Sequence, residues 1–142
     1  MMTATKKQPT SCYCLKMRRA SGDVSKYYDQ VLAPSGVTTS QYSLLLNISR
    51  AHQCSVKELA DMAELDRSTL ARNLKPLLNR GLVIDTRQPG ARNRQLELTA
   101  AGQQTVAAAQ TLWEKAQQKV QATLGEAGQA ALEEVLAALA KL

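Results

Sequence analysis

Apolar residues recur at helical spacing early in the chain. Tyr13, Met17, Ala20, Val24, Tyr27 and Val31 follow one another at intervals of four and three, which predicts a helix over residues 11–32. Ala33-Pro34-Ser35-Gly36 stops it. Thr38 with Gln41 is the pattern of a capping box, opening a second helix through the run from Tyr42 to Ile48. Ser55 with Glu58 repeats the device ahead of a short stripe of Val56, Leu59, Ala60 and Ala63. After a brief link at Glu64-Leu65, Asp66 is a strong N-cap for a helix over residues 67–80.

On that helix Leu70, Leu74, Leu77 and Leu78 fall within one narrow arc, and Ser68, Arg72, Lys75 and Asn79 fall opposite. Gly81 is a natural stop, while Pro76 removes a backbone bond to the carbonyl of Arg72 and is expected to bend the last turn. Residues 82–84 and 95–98 read as short strands around a Pro89-Gly90 turn, with Leu96 and Leu98 alternating with polar neighbours. Thr99 caps a long helix carrying Val106, Ala109, Trp113, Ala116 and Val120. Past Gly125 a last helix carries Leu132, Val135, Leu136, Leu139 and Leu142. The expected fold is mainly α with one small β-hairpin, in a single domain over residues 1–142.

Composition fits that picture. A chain of 142 residues suits one domain, and with aromatics at 4% and no Phe the core must come from Leu, Val, Ala and Met. No apolar run approaches the roughly 18 residues of a membrane span, and the polar start from Met1 to Ser11 lacks the apolar stretch of a signal peptide. The expected location is cytoplasmic, with no membrane partner. Three cysteines, an odd number, argue against a disulfide framework.

Charge changes the picture more. The net charge is +6, and the stretch from Asp66 to Arg94 holds seven basic residues against two acidic ones, whereas Ala100 to Leu142 holds three against four. One part of the protein is a cationic surface. A short helix, a tight link, a helix with a cationic outer face and a basic hairpin follow in order, which is the plan of a winged helix-turn-helix. Such a helix enters the major groove of B-DNA, and its early residues meet base edges. Ser68, Thr69, Arg72 and Asn73 have the groups that base readout needs; Arg67 and Lys75 suit phosphates. Arg87, Arg92, Asn93 and Arg94 on the hairpin suit the adjacent minor groove or its phosphates. Two cations on a helix are usually no more than a solvated face; here the basic hairpin follows within thirty residues. The first helix and the last two carry more apolar surface than a small lobe can cover, which predicts a partner chain.

The sequence resembles the MarR family of transcriptional regulators over nearly its whole length. The resemblance is strongest in Val56-Lys57-Glu58-Leu59-Ala60, in Leu65 through Leu74, in Leu77 through Val83, and at the junction Leu96-Glu97-Leu98-Thr99-Ala100-Ala101-Gly102. It implies a homodimer built from residues 11–33 and 100–142, with winged lobes over residues 37–99 on a palindromic operator. It further implies a ligand cleft between the dimerisation helices and each lobe, often for aromatic acids or phenolics, and most often a repressor released by that ligand. The family's wing often carries an Asp beside its Arg; here the tip reads Gln88-Pro89-Gly90-Ala91. In the family's hydroperoxide-sensing branch Cys14 falls at the reactive cysteine and Tyr28 at one of its tyrosines, while two further tyrosines are replaced by Arg18 and Thr39. Redox release through Cys14 is therefore an alternative signal, although such a thiol more commonly packs as a small hydrophobe. Cys12 is not expected to bond Cys14 if both lie on one helix.

Cys12, Cys14, His52 and Cys54 offer four metal ligands, but each pair has one intervening residue, tighter than zinc spacing, so no metal is expected. No Gly-rich phosphate loop, His-Glu-x-x-His or triad is present, so neither an enzyme nor a cofactor is expected. A winged helix acting as a protein-interaction module is the reading from another class.

Overall fold

The computed structural model describes residues 7–142; Met1 to Lys6, the first part of the polar start, lie outside the described residues. Helix α1 (Tyr13–Leu32) runs into a 3-10 turn (Ala33–Ser35) that ends at Gly36 with φ +82°. Helices α2 (Thr39–Ala51), α3 (Val56–Ala63) and α4 (Arg67–Asn79) follow, then strands β1 (Val83–Asp85) and β2 (Leu96–Leu98), and α5 (Ala100–Leu139). The mainly helical fold with one small hairpin is thus observed.

Local signals placed most boundaries. Both capping boxes form, Thr38 with Gln41 and Ser55 with Glu58. Helix α3 ends in a Schellman motif, with Leu65 N–H on the Ala60 carbonyl and Glu64 N–H on that of Asp61. Glu64 adopts the left-handed conformation there, at φ 54°. Helix α4 ends the same way around Gly81, with Leu82 N–H on the Leu77 carbonyl and Gly81 N–H on that of Leu78. Pro76 is accommodated inside α4, which continues to Asn79. The break expected at Gly125 is present: φ 69° and ψ 174° interrupt α5, and the helix then ends at Leu139, short of Leu142.

Other expectations shift. Helix α1 begins at Tyr13, not residue 11, with Cys12 as its extended N-cap, and α2 runs past Ile48 to Ala51. Strand β1 lies one residue later than expected, because Leu82 is the residue that closes the α4 Schellman motif. The strands pair antiparallel, Val83 with Leu98 and Asp85 with Leu96, and Cys54 forms a further bridge to Leu96. To reach that bridge the chain reverses at His52 (φ 62°, ψ −47°), where Gln53 N–H meets the Ala51 carbonyl. This is a γ-turn of positive φ, a strained conformation costing about 1–3 kcal/mol.

The core sits among α2, α3, α4 and β2. Leu44, Leu45 and Ile48 of α2 meet Leu59 of α3, Leu70, Leu74 and Leu77 of α4, and Leu96 of β2, with Leu32 entering from α1 and Val106 and Ala109 from α5. Leu32 is the one buried residue of α1, and α5 buries nothing beyond Ala116. The two long helices touch each other, and the Tyr28 hydroxyl donates to the Gln117 side chain across them.

Candidate nucleic-acid interface

Helix α4 and the hairpin that follows it carry the predicted residues. At the start of α4 the Asp66 carboxylate accepts the Thr69 amide (2.8 Å), the Ser68 hydroxyl (2.7 Å) and the Thr69 hydroxyl (3.0 Å). These three donors hold its carboxyl down to about 2. The hydroxyl protons of Ser68 and Thr69 are therefore committed to Asp66. Arg72 lies one turn on, with a guanidinium nitrogen 3.4 Å from Thr69 Oγ1. Ser68, Arg72 and Lys75 are exposed, while Thr69 and Asn73 are half-buried.

The hairpin is organised from its base by Asp85. Its Oδ1 accepts the amides of Arg87 and Gln95, each at 3.1 Å, and its Oδ2 lies 3.3 Å from Arg87 Nε and 3.8 Å from Arg94 Nε. Burial alone would raise the Asp85 carboxyl; the two amides and the two arginine charges outweigh that and hold it below its ordinary value. Arg87, Arg92, Asn93 and Arg94 are all exposed.

Arg67 at the start of α4 lines one depression together with Arg87, Arg92, Asn93 and Arg94, and with Lys57 of α3. An adjoining depression joins Arg67, Lys75 and Arg94. The cations of helix and hairpin thus form one surface, and Ser68, Thr69, Arg72 and Asn73 lie outside these depressions, around the Asp66 cap and the turn that follows. Sequence reasoning missed Lys57 and the organising role of Asp85. Lys57 did carry a signal: it stands two residues after the Ser55 cap, where the helix dipole disfavours a cation.

A second concavity, of about 620 Å³, opens between α2 and α5. Tyr42, Leu46, Arg50, Gln110, Trp113, Thr39 and Ser43 line it. Burial pushes the Tyr42 phenol up. Thr39 Oγ1 is buried and has no hydrogen-bond partner among the described residues.

The cysteines do not converge. Cys12 and Cys14 are exposed at the start of α1, whereas Cys54 is buried in the lobe core and its thiol is pushed up by burial. The premise that Cys12 and Cys14 share one helix is not met, since Cys12 is the extended N-cap. Tyr28 lies fourteen residues beyond Cys14 on α1, about 21 Å along the axis, so one chain does not bring the two together. Among the described residues no group of three His, Cys, Asp or Glu is arranged to hold a metal ion. No helix among them is long and apolar enough to cross a membrane.

Two packed helices, the second presenting a polar-basic face, with an arginine-bearing hairpin beside it, define a winged helix-turn-helix protein. The chain belongs to the MarR family, whose model matches residues 35–94. It is 32% identical over 90 residues to the HTH-type transcriptional regulator SarZ of Staphylococcus epidermidis, a match covering 63% of this chain and 61% of that relative's length. Among solved structures it is similar to the M. tuberculosis transcriptional regulator MosR in complex with DNA. That likeness has 34% identity and a TM-score of 0.77, and covers 92% of this chain and 96% of the other. The transcriptional repressor CouR bound to p-coumaroyl-CoA is 28% identical, with a TM-score of 0.81 and 91% of each chain covered.

Proposed function

We propose that the protein is a dimeric, sequence-specific DNA-binding regulator, a repressor released by a small ligand. The observation that carries this reading is the single cationic surface shared by α3, α4 and the hairpin, on which Lys57, Arg67, Lys75, Arg87, Arg92 and Arg94 meet. Such a surface suits the phosphates that flank a major groove entered by α4, with the hairpin on the adjacent backbone. Arg72, with Asn73, Ser68 and Thr69, reads bases; Arg67, Lys75 and the hairpin residues Arg87, Arg92, Asn93 and Arg94 bind phosphate or minor groove. The DNA complex of MosR supports this reading.

Pairing follows from what is left uncovered. Tyr13, Met17 and Val24 on α1 and Leu132, Val135 and Leu136 on α5 are exposed, five of the six by between 42% and 51% and Tyr13 by 75%. Beyond Gly125 nothing in α5 is buried, so this apolar segment has no surface of its own lobe to cover. A second copy joined through residues 11–33 and 100–142 removes that surface from water and presents two lobes to a palindrome.

The concavity between α2 and α5 is the effector cleft in this reading. Tyr42 and Trp113 line it with aromatic side chains and Arg50 with a charge for a carboxylate, and Thr39 beside them keeps a buried hydroxyl without a partner. An aromatic acid or phenolic fits those groups. Release is a population shift: the ligand favours a lobe spacing that mismatches the operator. The test is to select preferred duplexes from random DNA and then bind them with an Arg72→Ala variant. Affinity should fall by about 1–3 kcal/mol on the selected sequence and little on random DNA. An equal loss on both makes Arg72 a phosphate contact, and no selectable sequence favours a protein-interaction module.

A further inference from the structure

The end of α4 is gripped from two sides. Arg80, the C-cap of α4, donates from its guanidinium to the Gly36 carbonyl at 2.7 Å, reaching across 44 residues of sequence to the turn that ends α1. The fit is close: a Cβ on Gly36 would stand 2.9 Å from the second terminal nitrogen of Arg80. On the other side, Thr99 donates its hydroxyl to the Gly81 carbonyl (2.6 Å) and its amide to that of Leu82 (3.1 Å). The first turn of α5 presses so near that a Cβ on Gly102 would lie 2.1 Å from Leu82 O. The start of α4, by contrast, is held only by its own Asp66 cap among the hydrogen bonds described. Arg80 lines neither of the two depressions where Lys57, Arg67, Lys75, Arg87, Arg92 and Arg94 gather.

We propose that Arg80 is a positioning residue, a strut between α4 and the α1–α2 turn that sets the separation of the two recognition helices. This rests on the paired-lobe reading above. If α1 and α5 form the dimer body, the recognition helix is fixed to that body at one end only. The Arg80–Gly36 bond fixes it on the α1 side and the Thr99 bonds on the α5 side. Any displacement of α1 against α5 then moves α4, because the grip involves both. The adjacent link from Asp29 on α1 to the Thr39 amide (2.8 Å) carries the same displacement to a residue of the α2–α5 cleft. Arg80 is thus a cation of the lobe that acts on DNA through geometry instead of contact.

The test uses duplexes in which the half-sites selected by the wild type are moved apart or together by one base pair. Each step is about 3.4 Å along the axis and about 35° around it. For Arg80→Met the ratio of affinities between the selected spacing and the displaced ones should shrink by about fivefold, the worth of one exposed charge-assisted hydrogen bond. Affinity for random DNA and the salt dependence should stay as in the wild type, and Arg80→Lys should recover part of the ratio. A thermal melt on the same samples shows whether each variant is folded. A uniform loss on every duplex, with the salt slope lower by about one, makes Arg80 a phosphate contact and overturns the strut. An Arg80→Met protein that discriminates spacing as well as a discriminating wild type overturns the strut alone. A wild type indifferent to spacing removes the paired-lobe reading, and the strut with it.

Discussion

Replacing Gly102 by Ala sets two effects of opposite sign against each other. Gly102 lies in the first turn of α5 and is buried. Helix propensity alone favours Ala there by about 1 kcal/mol. The added methyl, however, would sit 2.1 Å from Leu82 O, 3.1 Å from the Leu82 carbonyl carbon and 3.4 Å from Leu98 Cδ2. The nearest of these is backbone, so no side-chain rotation relieves it; α5 and the Leu82 segment must separate by roughly 1 Å. That movement breaks or lengthens the Thr99 bonds to Gly81 and Leu82, each worth about 1 kcal/mol, and adds an overpacking cost of about 1–3 kcal/mol. The expected net loss is about 2–4 kcal/mol. With a urea m-value of about 2 kcal/mol/M, the midpoint should fall by about 1–2 M, followed by helical circular dichroism at fixed protomer concentration. A Gly102→Ala midpoint at or above the wild type's would refute the close-packed junction between α4, β1 and α5.

Two further outcomes test the interface chemistry. Asp85→Ala removes the acceptor of two hairpin amides and the partner of Arg87 and Arg94, so binding to the selected sequence should weaken by about tenfold in fluorescence anisotropy. It also adds one net positive charge, so stronger binding to both selected and random DNA would show that charge, not hairpin order, governs. Asp66 has its carboxyl lowered from 3.8 to about 2, so its capping contribution is fully present above 3.8 and is lost as pH falls through about 2. The stability gap between the wild type and Asp66→Asn, measured by urea denaturation, should close across that window; a constant gap contradicts the ionised cap.

Features written in a few neighbouring residues were legible in the sequence. The capping boxes at Thr38 and Ser55, the Asp66 cap, the Gly81 stop and the Gly125 break each depend on side chains within one turn of the boundary. Cys12 carries no such signal, because a thiol is a poor cap and its side chain makes no capping bond, so no residue type marks the start of α1. The cations of the interface were visible as composition, but their convergence was not. It depends on Asp85 accepting the Gln95 amide ten residues away and on the hairpin folding back toward Arg67. The γ-turn at His52 is likewise imposed from a distance, by the Cys54–Leu96 bridge. The α2–α5 cleft brings Tyr42 to Trp113 across most of the lobe's sequence, and no local pattern encodes that meeting.

The central claim is that paired lobes read one DNA sequence. Fluorescence anisotropy of a labelled duplex carrying the selected palindrome, against the same duplex scrambled, tests it most directly at one fixed moderate salt concentration. A preference on the order of 10³-fold, saturating at two chains per duplex, is the predicted result. Equal affinity for both duplexes, or saturation at one chain, would contradict it.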